Sequence, residues 1–129
     1  MKKNSFFIIL GIVMSISCTK QYRINFNLEE MSIESCDKSK IYSVHIFNID
    51  KLKTLTINFD DQDLEKASNK IFLTRYNKYY KSNFDSLILE PSSRYLISVP
   101  RSHTSGSIIL YTDEIGNVIR DENETPCSE

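Results

Sequence analysis

Along most of this chain hydrophobic and polar residues alternate one by one, the period of a strand with one buried face. The run Tyr22-Arg-Ile-Asn-Phe-Asn-Leu28 puts Tyr22, Ile24, Phe26 and Leu28 on one face and Arg23, Asn25 and Asn27 on the other. Leu55-Thr-Ile-Asn-Phe59 repeats the pattern. Residues 41–49 are apolar on both faces in places (Val44, Ile46, Phe47, Ile49), which predicts a central strand covered on two sides. Further strands are predicted at 71–76, 86–89, 95–99 and 107–111, and Gly116-Asn117 turns the chain back into Val118-Ile119 as a hairpin. One segment breaks the period. Asp60-Asp-Gln-Asp-Leu-Glu-Lys-Ala-Ser-Asn69 has its acids first and its lysine later, which suits a short helix near 61–69. It offers only Leu64 and Ala67 for burial. Short strands at this spacing predict an all-β fold, a single antiparallel β-sandwich over residues 22–129.

The alternation is absent from the first residues. A cationic start, Met1-Lys-Lys-Asn4, precedes an apolar run from Phe6 to Ile16. That length suits the core of a secretory signal and falls short of the roughly 20 apolar residues of a spanning helix. Residues 1–17 are therefore expected to be a signal peptide, with Ser15 and Ser17 as the small residues before the cleavage point. Ser15-Ile16-Ser17-Cys18 also resembles the lipobox of bacterial lipoproteins. That resemblance implies lipid on Cys18, a location in the cell envelope, and anchoring to the outer membrane through an N-terminal acyl group. Thr19, Lys20 and Arg23 are not the acidic residues of inner-membrane retention or surface export, so the resemblance implies a periplasm-facing protein. Residues 18–21 would then be a very short tether.

Three cysteines sharpen the choice: Cys18, Cys36 and Cys127. An exported chain with an odd count needs an explanation for the leftover thiol. With lipid on Cys18, Cys36 and Cys127 remain as a pair suited to an oxidising compartment. With Cys18 an ordinary residue, one thiol stays free. A Cys36–Cys127 bridge closes a loop of about ninety residues, worth about 4–5 kcal/mol by chain entropy.

The stretch Leu89-Glu-Pro-Ser-Ser-Arg-Tyr-Leu-Ile-Ser-Val99 is similar to the tyrosine corner of fibronectin type III domains. This implies an immunoglobulin- or fibronectin type III-like sandwich. The physical reading stands beside it. Pro91 cannot continue a ladder, and Tyr95 can bury its ring while its hydroxyl bonds the backbone upstream.

Composition removes some function classes. Without Lys2 and Lys3 the chain has 14 basic against 17 acidic residues, a net charge of −3 that does not call for a polyanionic partner. The two histidines, His45 and His103, lie in a strand pattern and in a polar loop, and neither has the neighbours of a nucleophile–base pair or of a zinc site. Asp60, Asp61, Asp63 and Glu65 lack the glycine turn and the spaced glutamate of a calcium loop. No cofactor is expected and no catalytic constellation is seen. The candidate surface is Arg75-Tyr-Asn-Lys-Tyr-Tyr-Lys-Ser-Asn-Phe84, where Arg75, Lys78 and Lys81 interleave with Tyr76, Tyr79, Tyr80 and Phe84. Such a mix suits a protein or glycan partner. The plainer reading is a hairpin whose tyrosines cover a sandwich edge. Together these readings predict a non-enzymatic outer-membrane lipoprotein that binds an envelope protein or glycan and no nucleic acid. The rival is a small periplasmic inhibitor or immunity lipoprotein that blocks a hydrolase or toxin.

Overall fold

The computed structural model describes residues 22–120 and Cys127. The signal, Cys18 and its tether lie outside the described residues, as does the segment 121–126. Among the described residues nine strands follow one another: β1 (Ile24–Asn27), β2 (Ser32–Ser35), β3 (Ser43–Asn48), β4 (Lys53–Phe59), β5 (Lys70–Phe72), β6 (Tyr80–Ser82), β7 (Arg94–Pro100), β8 (Ser105–Thr112) and β9 (Val118–Arg120). They form two antiparallel sheets, β1-β2-β5 and β6-β4-β3-β7-β8-β9. The fold is an all-β sandwich of a narrow sheet against a wide one. Among the described residues no helix is long and apolar enough to cross a membrane.

Cross-strand register explains the core. In the narrow sheet Phe26, Ile33 and Ile71 lie side by side. In the wide sheet Leu55, Ile46, Ile97 and Ile108 form one row. All belong to, or pack against, one buried cluster. The sheets come closest where β1 crosses β8. A Cβ on Gly106 would lie 2.9 Å from the Tyr22 ring and 3.0 Å from the Ile24 side chain, so only glycine admits this approach.

Strand β2 was not predicted, and three predicted elements differ from those observed. Strand β2 lies in Met31-Ser-Ile-Glu-Ser35, which has too few apolar residues to read as a strand. It forms because it pairs on both sides, and its buried serine hydroxyls are satisfied by Glu30, Asp37 and Ser39. The predicted 86–89 strand keeps its alternation, with Leu87 and Leu89 packed on the core and Ile88 77% exposed, yet it has no pairing partner. The 71–76 strand stops at Phe72, where the chain leaves its sheet. Strand β3 is central, but only its inner face is buried; Val44 and Ile46 point inward, while Phe47 is half-buried on the outer face beside Leu96. The short helix is a single 3-10 turn, Leu64–Lys66, capped by the Asp63 carboxylate, which accepts from the Glu65 N–H at 3.1 Å.

The corner before β7 is built on Tyr95. Its ring is buried, and its hydroxyl accepts the Glu90 N–H at 2.8 Å. Thr112 at the end of β8 secures the same corner: its hydroxyl donates to the Glu90 carbonyl at 2.6 Å and accepts the Ser93 N–H at 2.8 Å.

Two links hold the narrow sheet to the far side of the wide one. Cys36, just after β2, is bonded to Cys127, with Cα atoms 5.1 Å apart and a sequence separation of 91. Beside it, the Asp37 carboxylate accepts from Ser35, from Ser39 and, at 2.7 Å, from the Arg101 guanidinium. Arg101 also lies over the Tyr22 ring, 4.4 Å from its centre. The Ser35 hydroxyl foremost, then Ser39 and Arg101, holds the Asp37 carboxyl well below the usual carboxylate range.

Replacing both Cys36 and Cys127 by serine is expected to lower unfolding free energy by about 2–5 kcal/mol, read from urea titrations without reductant. Because the Asp37 pKa is depressed in the folded state, its stabilisation is present above the unfolded carboxylate pKa and lost as pH falls below it. Asp37→Asn is therefore expected to lower the melting temperature near pH 7 and to flatten its fall below about pH 4. Equal acid slopes for the variant and the parent would contradict this role.

Candidate binding cleft

The two sheets are not joined by a hairpin at 75–84. Strand β5 is an edge of the narrow sheet and β6 an edge of the wide one, so residues 73–79 cross from layer to layer. The chain after β6 passes back along the same flank. Asn83 closes the edge of β4 in place of a strand, its side-chain oxygen accepting the Thr56 N–H at 2.9 Å. Phe84, Leu87 and Leu89 then pack on the core. Between the crossing loop and this return lies a cleft of about 360 Å³. Ile57, Ile71, Leu73 and the ring of Tyr80 form its buried floor, Phe72, Phe84 and Leu87 its apolar walls, and Arg75, Tyr76 and Asp85 its mouth.

Four of the seven predicted partner-binding residues meet at this cleft: Arg75, Tyr76, Tyr80 and Phe84. They differ in kind. Tyr76 is 91% exposed and free to contact a partner. Arg75 sits with its guanidinium 4.4 Å from the centre of the Phe72 ring, a cation–π contact that holds the charge at the mouth. Phe84 is half-buried wall. Tyr80 is a core residue: its hydroxyl donates to the Ile41 carbonyl at 2.7 Å and accepts the Ser68 N–H at 2.9 Å. Its ring stands edge-on to Phe59, which stands edge-on to Tyr42. Burial pushes the Tyr80 phenol up from its ordinary pKa.

Lys78, Tyr79 and Lys81 do not line the cleft. Lys78 and Lys66 both approach the Tyr79 ring, at 5.1 and 5.9 Å, and Lys81 pairs with Asp60 at 2.8 Å on the exposed edge. An exposed pair of that kind contributes little. Ile57, Ile71, Leu73, Asp85 and Leu87 were missing from the sequence-based set. Nothing local marks them, because they come from separate strands and loops that only the crossing brings together.

The remaining candidates stay apart. His45 lies on the outer face of β3 in register with Thr56 and Ser98, and His103 is exposed at the β7–β8 turn. Among the described residues no group of three His, Cys, Asp or Glu side chains is placed to hold a metal ion. A second depression of about 660 Å³ by Ser92–Arg94 and Tyr111–Ile115 is larger but open, and it is lined by turn and charged residues. Its Arg94 is already engaged by Asp50, to which it donates from the guanidinium at 2.9 Å and from the backbone at 2.8 Å. The cleft at β5 and β6 is the better-formed site, because its floor is buried and its walls are apolar. Comparison with known protein families, curated proteins and solved structures finds nothing that matches this chain.

The division between wall and contact residues is open to measurement. Tyr80→Phe leaves the Ile41 carbonyl and the Ser68 N–H without their partner and is expected to cost about 1–3 kcal/mol in urea unfolding. Tyr76→Ala is expected to stay within about 0.5 kcal/mol of the parent. The reverse ranking would make Tyr76 the structural residue and Tyr80 the surface one.

Proposed function

We propose that this chain is a non-enzymatic, lipid-anchored binding module of the outer membrane, and that it engages another envelope component through the cleft between β5 and β6. The observation that carries the binding role is the cleft itself: a buried apolar floor with the exposed Tyr76 and the Arg75 guanidinium, held on the Phe72 ring, at its mouth, whereas the larger depression by Ser92–Arg94 is open and lined by charged residues. Exposed aromatic and arginine side chains around an apolar pocket are the composition of a binding hot spot. The anchoring role is supported by the leader pattern and by cysteine parity. The Cys36–Cys127 bridge uses two of the three cysteines, which supports reserving Cys18 for lipid. Several acyl chains on one N-terminus hold a protein stably where a single chain does so only marginally. With a tether of only four residues, the domain rides close to the membrane, on its periplasmic side.

Two readouts test the two halves. The intact mass of the protein from membranes is expected to show an acylated N-terminus at Cys18, and Cys18→Ser is expected to move the protein to the soluble fraction. A photo-crosslinking amino acid at position 76 is expected to capture a discrete envelope partner in living cells, and the same group at position 111, on the outer face of the wide sheet, is expected to capture none. Capture at both positions or at neither would remove the cleft from the proposal.

A further inference from the structure

The cleft is flanked by two sheet edges whose backbones are only half used. In the β4–β6 ladder the Asn83 N–H reaches the Thr56 carbonyl at 3.1 Å and the Asp60 N–H reaches the Tyr79 carbonyl at 2.8 Å. Antiparallel pairing alternates, so Lys81 turns its N–H and C=O toward β4, whereas Tyr80 and Ser82 turn theirs to the open edge. The Asn77 carbonyl takes the Tyr80 N–H at 3.1 Å. The Ser82 N–H and C=O face outward. On the narrow sheet, the bonds from Leu73 N–H to the Met31 carbonyl and from Ser35 N–H to the Asn69 carbonyl set the same alternation. They turn the Phe72 N–H and C=O away from β2. Phe72, Tyr80 and Ser82 all line the cleft.

Size and charge narrow the occupant. A volume of about 360 Å³ admits a single side chain or a short chain, and lies near the low end of the roughly 300–1,000 Å³ of ligand pockets. The mouth carries both signs. The Arg75 guanidinium lies on the Phe72 ring and makes no hydrogen bond or ion pair among the described residues; the nearby Glu30 carboxyl is held below its usual range by the Lys70 hydrogen bond foremost, and Arg75 adds least. The Asp85 carboxylate is likewise without one. A polyanion would meet Asp85 at the mouth. A fatty carboxylate would fill the floor and meet Arg75, yet leave the outward backbone groups unused.

We propose that the cleft takes an extended peptide segment of a partner protein, which adds beside β6 and drops one apolar side chain between the sheets. This assignment rests on the cleft being the binding site and names what it binds. A peptide uses all three features at once. Its backbone pairs with Ser82, its apolar side chain fills the floor over Ile57 and Leu73, and its flanking charges meet Arg75 and Asp85. Strand addition of this kind draws affinity from main-chain bonds and specificity from the side-chain pocket. The three-residue length of β6 and the lysine at its centre protect the edge from indiscriminate pairing, so the pocket must supply part of the affinity.

The test selects a phage-displayed library of cysteine-free heptapeptides on the intact, disulfide-bonded protein, then titrates the enriched peptides by nitrogen–proton NMR. Enriched sequences are expected to share one aromatic or aliphatic residue between β-branched neighbours, and to shift the amide signals of Phe72 and Ser82. Ser82→Pro removes an outward N–H without touching the β4 ladder and is expected to weaken binding about tenfold, a difference well within reach of such a titration. Arg75→Gln changes only an exposed side chain and is expected to weaken it about threefold. Melting curves check that both variants fold, and Arg75→Gln carries the test if Ser82→Pro does not. Decanoate serves as the competing probe. The proposal is overturned by a lack of enrichment, by peptides whose affinity ignores both substitutions, or by a cleft that responds to decanoate alone. A crosslink at position 76 in cells without peptide binding would sink the peptide assignment and leave the binding role; loss of both would sink the two together.

Discussion

Apolar residues of a three-stranded sheet and of a six-stranded sheet share one buried cluster, and their widths do not match. At about 4.8 Å between strands, three strands span about 10 Å from first to last and six span about 24 Å. More than half of the wide sheet's inner face must therefore be covered by something other than a facing strand. That mismatch governs what the connections do. Here loops and a covalent bridge take up the excess.

The two flanks are closed by different chemistry. On the side of β1 and β9 the closure is tight and polar. The Cys36–Cys127 bridge, the carboxylate of Asp37 and the guanidinium of Arg101 over Tyr22 lie within a few residues of one another in the chain or in contact. Gly106 lets the sheets meet there without a gap. On the side of β5 and β6 the closure is looser. Apolar residues spaced along a return segment, Phe84, Leu87 and Leu89, cover the core edge, and the crossing loop does not fully meet them. The cleft is what remains between them. A wide sheet under a narrow one leaves such a space unless a further strand fills it, which is why the unused backbone of β6 and the apolar floor occur at the same place.

Much of this was legible in the chain. The alternation in Tyr22–Leu28, in Leu55–Phe59 and in the segment around Tyr95 marks β1, β4 and β7 because alternate residues of each turn toward the core, although Leu28 is exposed and in β4 only Ile57 is buried. The pairing of Cys36 with Cys127 was expected on the reading that sets Cys18 aside for lipid. What stayed hidden depends on partners distant in sequence. Strand β2 is held by neighbours on both sides and needs little hydrophobicity of its own, so its serines disguise it. The segment 86–89 has the alternation of a strand without a strand beside it, and alternation reports burial, not pairing. The tyrosines of 75–84 were recognised as a group, but composition cannot divide Tyr76, which faces solvent, from Tyr80, whose hydroxyl is spent on Ile41 and Ser68. That division comes from the crossing between the sheets, and local sequence does not encode it.

The strand order also places the cleft relative to the chain's start. The described chain enters at Tyr22 and passes into β1, one edge of the narrow sheet, and β5 is its other edge, two strand spacings or about 10 Å away. The bridge to Cys127 brings the described C-terminal residue to Cys36, which follows β2 and accepts no part in the cleft. Both points of entry and exit thus lie toward one flank, and the open site lies on the other. The same unequal sheets that force the β1 side to be stapled shut leave the β5 side with unpaired edges and an apolar floor. An interaction site there requires no added element, only the incomplete closure that the fold already has.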